Sequence, residues 1–591
     1  MRARARRNNV VSNISIAAPS THISGVYSGV GSSGFDVYGN GQHGVHVDTT
    51  ATRTTVGYLG MTGSSTVLSG NGLRGAYISA KNVLINSANV GVSAIGMRKA
   101  GNKGGGILLN AYADFCTIGH CKAFNESAGV AHFPVLVSGN QGSASSHGVE
   151  IHGANTKVSN VWAGLASDGF TIVPNGSSGI YLGAQATGTI IGVTISGSTP
   201  RSLPTIIAGN FAHGVYSAAD RTIFNHVWVG YNKNGTGTPY HGNHLSGVYI
   251  DAAATGATIG RRLPSTRTMI GANRVNGVYN GRVTGGGVAA GHGVVFAKTA
   301  VGPTIDGYVG KFPTVISGNN GYGVMNSAPS TNIYGSLIGV DASGQYQLNN
   351  RIGGIVLMTP ATFSTIGKGR QGALSSVTVV SGNGGIGIFS AAPNTVIRNA
   401  YVGISMVAAG GAFRAVPNGG HGIAFSNTAQ NSVVGGLNVG RVIISGNQGH
   451  GIYSNAPSTK VSNVYVGIGV GGTPARNAGA GIHYDLLASG SHVGVSSSWH
   501  RNTIVSGNTL DGIMSSAQYT HVLSCMVGLN SNGRPVPNGS NGITYTRRHQ
   551  HRGEPRKRAL ALTPHPTPPH PPPPSMYNAP GCAVFLARVA S

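Results

Sequence analysis

The chain has 591 residues, of which 96 are glycine, 40% are apolar and only 9% are charged. The glycine follows no three-residue period, which excludes a collagen-like triple helix, and the apolar content excludes a low-complexity disordered chain. Basic residues outnumber the 13 acidic residues and give a net charge of +26. A basic surface either favours polyanions, among them acidic polysaccharide, or serves general solubility.

The two ends of the chain are predicted to lie outside the folded body. Residues 1–7 form a basic arm with four arginines. A signal peptide would have an apolar stretch after such an arm, and none follows here. Residues 547–591 are basic and proline-rich and carry no repeat, so we expect a disordered tail or a gene-model artefact there. No apolar run reaches membrane-spanning length.

Between these ends, residues 8–546 repeat one short motif. An asparagine is followed, after three residues, by glycine and then by Ile, Val or Ala. Most copies are about 30 residues apart. Two variants of the repeat alternate, so the paired unit is about 62 residues long. Because asparagine tolerates the left-handed conformation and stacked amides bond to one another, we predict a structural ladder. The ladder residues include Asn71, Asn210, Asn319, Asn383, Asn447 and Asn508.

Each repeat contains three short predicted strands joined by turns. Within 451–508, the alternating apolar residues of GIYSNAP and TKVSNVYVGIG predict strands, and GGTPARNAGA predicts a glycine-rich turn. No segment shows helical periodicity. The sequence therefore predicts an all-β protein built as one parallel β-solenoid of about 17 coils and about 80 Å.

The repeats also resemble a known family. The units GNGGIGIFSAAPNTVIRNAYVGI and GNQGHGIYSNAPSTKVSNVYVGI are similar to right-handed parallel β-helix repeats of the pectate-lyase-like superfamily. They are closest to the long "ISGN…GI…YIG" arrays of secreted and cell-surface proteins, and the resemblance covers residues 8–546. It implies a single right-handed β-helix and a secreted or cell-surface location. It does not imply one function, because the superfamily includes lyases, hydrolases, epimerases, adhesins and phage tailspikes.

One copy of the motif contains a Gly-His-Gly triplet around His450. In polygalacturonases, which are right-handed β-helix enzymes, such a triplet carries an active-site histidine. Here the position directly before the motif glycine, which we call the pre-glycine position, also holds Arg74, Ile386 and Asp511. Polygalacturonase-type cleavage further needs clustered aspartates, and no two acids in this chain are adjacent. We therefore interpret His450 as a structural residue.

Tyrosines recur at the first residue of each strand that should point away from the core. Alternation along a strand sends the residue after Gly-Ile or Gly-Val outward. Such a column is either ordinary cross-strand packing, which we favour, or a platform for sugar rings or bases. Four of these tyrosines lie in consecutive coils and are Tyr181, Tyr216, Tyr249 and Tyr279.

Acidic residues also occur two positions away from histidine or tyrosine on this outer face. A lyase or epimerase needs a base, an acid and a cationic group beside the substrate carboxylate. The best candidates for such chemistry are Glu150 and His152, with Tyr181 one coil away; the alternative is a surface pair that contributes little. The sequence shows no aspartate-rich calcium site, and we expect no metal and no cofactor. The pairs are His46 with Asp48, Glu150 with His152, His483 with Asp485, and Tyr249 with Asp251.

The four cysteines, Cys116, Cys121, Cys525 and Cys582, have no zinc-ligand spacing. We expect small buried thiols or one disulfide.

No one coil is chemically richer than the others, which favours a structural scaffold over an enzyme. We expect a non-enzymatic extracellular or cell-surface repeat protein that binds glycan or has a structural or adhesive role. The alternative is a polysaccharide lyase or epimerase that acts on acidic polysaccharide. Nucleic-acid binding through the basic charge is a third and weaker interpretation.

Overall fold

The structure is a computed structural model that describes most of the repeat region. The basic arm, residues 1–7, and the predicted disordered tail, residues 547–591, lie outside the described residues, apart from Arg547 and residues 556–560. The described ranges are 14–57, 66–119, 133–143, 145–192, 204–234, 241–251, 254–259, 269–270, 278–280, 292–296, 298, 300, 302–306, 314–341, 343–368, 377–405, 414–436, 440–469, 471–495, 503–547 and 556–560.

Each full coil contributes one strand to each of three sheets, which we name A, B and C in chain order. One coil runs from Ile452–Ser454 in sheet A through Lys460–Ser462 in sheet B to Val464–Val466 in sheet C. The next coil begins with Ile482–Tyr484, where Ile482 lies beside Ile452 in parallel register. Strands of successive coils therefore stack along the rod axis.

The strands are short, as the alternation of inward and outward residues predicts. Sheet A contains Ile14–Ile16, Val45–Val47, Arg74–Ile78, Gly105–Leu109, Val149–Ile151, Ile180–Leu182, Val215–Ser217, Val248–Ile250, Val278–Asn280, Val294–Phe296, Tyr322–Asn326, Gly353–Leu357, Ile388–Ser390, Ile423–Phe425, Ile452–Ser454, Ile482–Tyr484, Ile513–Ser515, Ile543–Arg547 and Arg556–Leu560. Sheet B contains His22–Ile23, Thr55–Val56, Leu84–Ile85, Thr117–Ile118, Lys157–Val158, Ile190–Gly192, Ile223–Asn225, Thr258–Ile259, Thr304–Asp306, Asn332–Tyr334, Thr365–Ile366, Val396–Ile397, Val433–Gly435, Lys460–Ser462, His492–Gly494 and His521–Leu523. Sheet C contains Tyr27–Ser28, Thr66–Leu68, Ala88–Val90, Val135–Val137, Val161–Ala163, Thr205–Ile207, Val227–Val229, Met269–Ile270, Thr314–Ile316, Ser336–Ile338, Thr378–Val380, Ala400–Val402, Val442–Ile444, Val464–Val466, Thr503–Val505 and Cys525–Val527.

The predicted all-β parallel solenoid is confirmed. Among the described residues, sheet A has 19 strands, of which Arg556–Leu560 alone pairs antiparallel, with Ile543–Arg547, leaving 18 parallel strands. In the same part of the chain, sheets B and C have 16 strands each, in agreement with the predicted number of coils. The described part of the chain contains no helix, and so none long and apolar enough to cross a membrane.

Aliphatic side chains fill a continuous core between the three sheets. Ile107 and Leu109 are fully buried and lie beside Val149 and Ile151 of the next coil. A parallel stack repeats this contact from coil to coil, so the hydrophobic effect stabilises the rod throughout the described residues of the core.

The recurring asparagines form a ladder of buried amides. Asn71 donates from Nδ2 to Oδ1 of Asn102 at 2.8 Å, and Asn102 donates likewise to Asn140 at 2.8 Å. Oδ1 of Asn102 also accepts the backbone N–H of Asn71 at 2.9 Å. The amides thereby satisfy one another inside the rod, where an unpaired polar group would be costly. The same side-chain bond joins Asn175–Asn210, Asn210–Asn243, Asn319–Asn350, Asn350–Asn383, Asn383–Asn418, Asn418–Asn447, Asn447–Asn477, Asn477–Asn508 and Asn508–Asn538.

A loop that recurs in alternate coils accounts for the two variants of the repeat. In one such loop, Val92 and Lys99 form an antiparallel bridge. Val92 packs with Leu136 and Trp162 in a second hydrophobic cluster on the outer face of sheet C. The loop thus covers apolar side chains that point away from the main core. The other bridges are Val30–Val37, Leu165–Ile172, Val340–Gln347, Ile404–Ala415, Ile468–Pro474 and Leu529–Pro535.

Two of the cysteines are free thiols. Cys116 is buried and Cys525 is half-buried, and burial raises the pKa of Cys116 to about 11 and that of Cys525 to about 12. These two thiols are therefore protonated and unreactive at neutral pH. Cys121 and Cys582 lie outside the described residues.

Candidate functional site

The outward residues of sheet A lie in one column on the outer face of the rod. Parallel pairing without a shift places each of them beside its counterpart in the next coil. The order along the first part of the column is His46, Tyr77, Leu108, Glu150, Tyr181, Tyr216, Tyr249 and Tyr279.

Tyr181, Tyr216 and Tyr249, which we call the tyrosine column, stack ring on ring. The centroids of Tyr181 and Tyr216 are 5.1 Å apart with 5° between the rings, and those of Tyr216 and Tyr249 are 5.1 Å apart with 10°. The backbone of Tyr279 continues the register, and its side chain lies outside the described residues. Because Tyr216 uses both ring faces on its neighbours, a sugar can reach only its edge and hydroxyl group. The column is thus packed as cross-strand contacts are, and Tyr216 offers no open ring face as a platform would.

Glu150 and His152 form a polar cluster with a residue from two coils away. Nη2 of Arg74 lies 2.6 Å from Oε2 of Glu150, and Nε2 of His152 lies 3.0 Å from Oε1. The Arg74 and Glu150 side chains are only 14% and 15% exposed, so the pair is shielded from solvent. The ring of His152 lies 6.1 Å from that of Tyr181, which brings all three predicted catalytic candidates together.

Sequence reasoning assigned no part in this cluster to Arg74. The coil between Arg74 and Glu150 has Gly105 at the pre-glycine position, and a Cβ there would lie 2.5 Å from Nη1 of Arg74. The missing side chain therefore leaves room for the guanidinium. The run KGGGI at 103–107 was the available signal, because an extra glycine before the motif glycine indicates close approach by another group.

The protonation states of this cluster are unfavourable for proton transfer. Burial by itself would raise the pKa of Glu150, but the hydrogen bond with His152 and the charge of Arg74 outweigh it and hold the pKa below its usual value. Burial, with the charges of Glu150 and Asp251, raises the pKa of Tyr181. Glu150 is therefore ionised and weakly basic, and Tyr181 stays a neutral phenol.

Histidines at the pre-glycine position form a second column beside the outward residues. The ring of His147 stacks on Tyr181 at 4.7 Å, and that of His213 lies 4.8 Å from Tyr249. Nδ1 of His450 accepts the backbone N–H of Ala480 in the next coil at 2.9 Å. Mainly through burial, the pKa values of His147, His213 and His450 fall to about 4. The Gly-His-Gly histidine, His450, is thus a neutral residue that links two coils.

Two aspartates of the outer face bond to tyrosines of the preceding coil. The phenol of Tyr216 donates to Oδ2 of Asp251 at 2.7 Å, and that of Tyr453 donates to Oδ2 of Asp485 at 2.7 Å. The sequence paired Asp251 with Tyr249 of the same coil, whereas this hydrogen bond comes from Tyr216 of the preceding coil. A phenol is long enough to reach the carboxylate that lies one coil further along the rod.

Neither a group of metal-binding side chains nor the comparisons with known proteins assign a function to this face. Among the described residues, no three histidine, cysteine, aspartate or glutamate side chains are grouped as a metal site requires. No protein-family model matches the chain, and no curated protein matches it either.

Proposed function

We propose that the chain is a non-enzymatic extracellular or cell-surface β-solenoid that binds glycan along the outer face of sheet A. The resemblance of its repeats to pectate-lyase-like β-helices of secreted proteins supports the location. The observation that carries the binding role is the tyrosine column, whose ring edges and hydroxyl groups follow the rod axis beside Asp251. Half-buried tyrosines offer both apolar surface and a polar tip, which suits the C–H groups and hydroxyls of sugars.

The alternative is a lyase or epimerase that acts on acidic polysaccharide through Glu150, His152 and Tyr181. Such an enzyme needs a base with a pKa near the working pH, whereas the pKa of Glu150 is lowered and that of Tyr181 is raised. Nε2 of His152 is already engaged by Glu150 at 3.0 Å. The cluster therefore supports a structural charge pair better than a proton-transfer site.

The test is a binding and turnover screen of the full-length protein. The array contains alginate, pectate, sulfated polysaccharides and uncharged glucans and mannans, and released unsaturated uronates report lyase action. The variant Tyr216→Phe/Tyr249→Phe keeps the ring stack but removes two hydroxyl groups, so glycan affinity should fall about tenfold. The matched control is Tyr346→Phe on an exposed loop, where Tyr346 is 61% exposed.

Either of two results would overturn the proposal. One is that the wild-type protein binds no glycan on the array. The other is turnover of a uronate polymer that disappears in Glu150→Gln, which would support the enzyme.

A further inference from the structure

Two stretches of the sequence build the same arrangement at two heights of the rod. They are HGVYS at 213–217 and HGIYS at 450–454. In each, the histidine occupies the pre-glycine position and the tyrosine is the outward residue of a sheet A strand. An aspartate, Asp251 or Asp485, follows the sheet A strand of the next coil. The repeated spacing therefore assembles a histidine, a tyrosine and a carboxylate twice.

The first arrangement, which we call subsite 1, is centred on Tyr216. Its phenol donates to Asp251 at 2.7 Å, and its ring stacks on Tyr249 with centroids 5.1 Å apart. The ring of His213 lies 4.8 Å from Tyr249 and 6.0 Å from Tyr216. One carboxylate and three rings therefore meet within two coils.

The second arrangement, subsite 2, repeats the phenol–carboxylate bond around Tyr453, with a different packing of the rings. Its phenol donates to Asp485 at 2.7 Å, matching the distance in subsite 1. His483 takes the place of Tyr249 and meets the ring of Tyr453 edge-on at 5.4 Å. The ring of His450 lies 4.8 Å from His483 and 6.3 Å from Tyr453.

The charges of both subsites disfavour an anionic ligand. Burial lowers the pKa of His213 to about 4, and burial with the charges of His483 and His421 lowers that of His450 to about 4. Burial, with the hydrogen bond to Asp485, raises the pKa of Tyr453 to about 12. Subsite 1 thus presents the carboxylate of Asp251, and subsite 2 that of Asp485, with Asp511 also close to His483. Carboxylates accept hydrogen bonds from hydroxyl groups and repel other anions.

The outward positions of sheet A between the subsites are mostly apolar, and several of them are buried. Eight strand pairings separate Val215–Ser217 from Ile452–Ser454. At about 4.8 Å per coil, the two subsites are about 38 Å apart along the axis. The outward residues that lie between them include Val295, Met325, Val356, Phe389 and Ala424. Two polar subsites thus flank an apolar stretch of the same face.

We propose that the two arrangements are equivalent subsites for uncharged, hydroxyl-rich sugar units, and that one long glycan chain occupies both. The proposal rests on the glycan-binding function proposed above and specifies its ligand. Each carboxylate accepts sugar hydroxyls, and the ring edges beside it contact C–H groups. A ligand that spans both subsites gains affinity because the second contact is intramolecular.

The experiment measures stoichiometry on the full-length protein by titration calorimetry. The probes are uncharged gluco- and mannotetraoses, which are too short to reach both subsites, and tetragalacturonate as the charged counterpart. The wild type should bind two uncharged tetrasaccharides. Asp251→Ala and Asp485→Ala should each leave one, and the double variant none. Asp36→Ala, which removes an exposed loop carboxylate bonded to Ser33, should still bind two.

Two further measurements separate the subsites from a folding effect. Tyr216→Phe and Tyr453→Phe keep the rings and should each weaken one of the two binding events. With a long uncharged polymer, losing either aspartate should lower the affinity about 100-fold.

Stoichiometry that neither aspartate variant changes, or preferential binding of tetragalacturonate, would refute the subsites and leave the glycan-binding function standing. Absence of binding to every glycan of the array would refute both.

Discussion

Arg74 and Glu150 form an ion pair across an intervening coil, with Nη2 2.6 Å from Oε2. The coil between them has Gly105 at the corresponding position, with φ at +119° and no side chain to block the guanidinium. This ion pair therefore links three successive coils. Breaking one partner of a shielded pair is costly because the other charge then stays unpaired.

A methyl group at Gly105 should therefore loosen these coils. We expect Gly105→Ala to destabilise this region by about 1–3 kcal/mol, through backbone strain and displacement of Arg74. Hydrogen exchange should accelerate in Arg74–Ile78 and Val149–Ile151. The control is Gly471→Ala, because a Cβ on Gly471 meets no atom within 4 Å. Equal exchange in the two variants would show that the open position at Gly105 is unimportant.

The amide ladder should be sensitive to a single substitution. Asn383 accepts from Asn350 and donates to Asn418, both at 2.9 Å. Asn383→Ala leaves a buried amide donor of Asn350 without its partner, at a cost of about 1–3 kcal/mol. Faster hydrogen exchange confined to the neighbouring coils would report the loss. Asn332→Ala is the control, because that amide lies on sheet B and bonds only to the Ser330 carbonyl at 3.3 Å; an equal effect there would argue against a special role of the ladder.

Mild acid should destabilise the coils around His450. Burial, with the charges of His483 and His421, lowers the pKa of His450 from 6.5 to about 4 in the folded state. The unfolded chain binds the proton more tightly, so this contribution is fully present above pH 6.5 and is lost as the pH falls towards 4. Protonated Nδ1 also cannot accept the N–H of Ala480.

Thermal unfolding followed between pH 7 and 4 measures this loss. His450→Asn retains a side-chain acceptor but does not titrate, so its melting temperature should fall less steeply over this range. Tyr346→Phe, a change on an exposed loop, should follow the wild type. Parallel pH profiles for all three proteins would contradict the assignment.

Phe363 occupies a backbone conformation that suits asparagine better. Its φ is 59° and its side chain is 64% exposed, whereas Asn155 and Asn394 occupy the same turn in other coils with φ of 54° and 58°. The left-handed conformation costs a bulky residue about 1–2 kcal/mol. Phe363→Asn should therefore raise the melting temperature.

The control for this substitution is Tyr112→Asn. Tyr112 is 66% exposed and has no positive φ, so its replacement should not stabilise the protein. A gain of the same size at both positions would trace the effect to lost apolar exposure rather than to the backbone.

Much of the architecture follows from the repeat alone. A motif that returns about every 30 residues forces one coil to lie on the next, and the pairing of inward residues then fixes which outward residues meet. The repeat alone places Tyr181 beside Tyr216 and Asn447 beside Asn477. The alternation of inward and outward residues and the stacking of coils are enough to predict these neighbours, because successive coils repeat the same backbone path.

The tertiary structure decided which side chains bond across the coils. Asp251 bonds to Tyr216 of the preceding coil, and Arg74 passes over Gly105 to reach Glu150. Neither contact follows from the period, because each depends on the length of one side chain and on the space left by its neighbour. The repeat therefore determines the fold of this protein, whereas the chemistry of its outer face depends on individual side chains that differ from one repeat to the next.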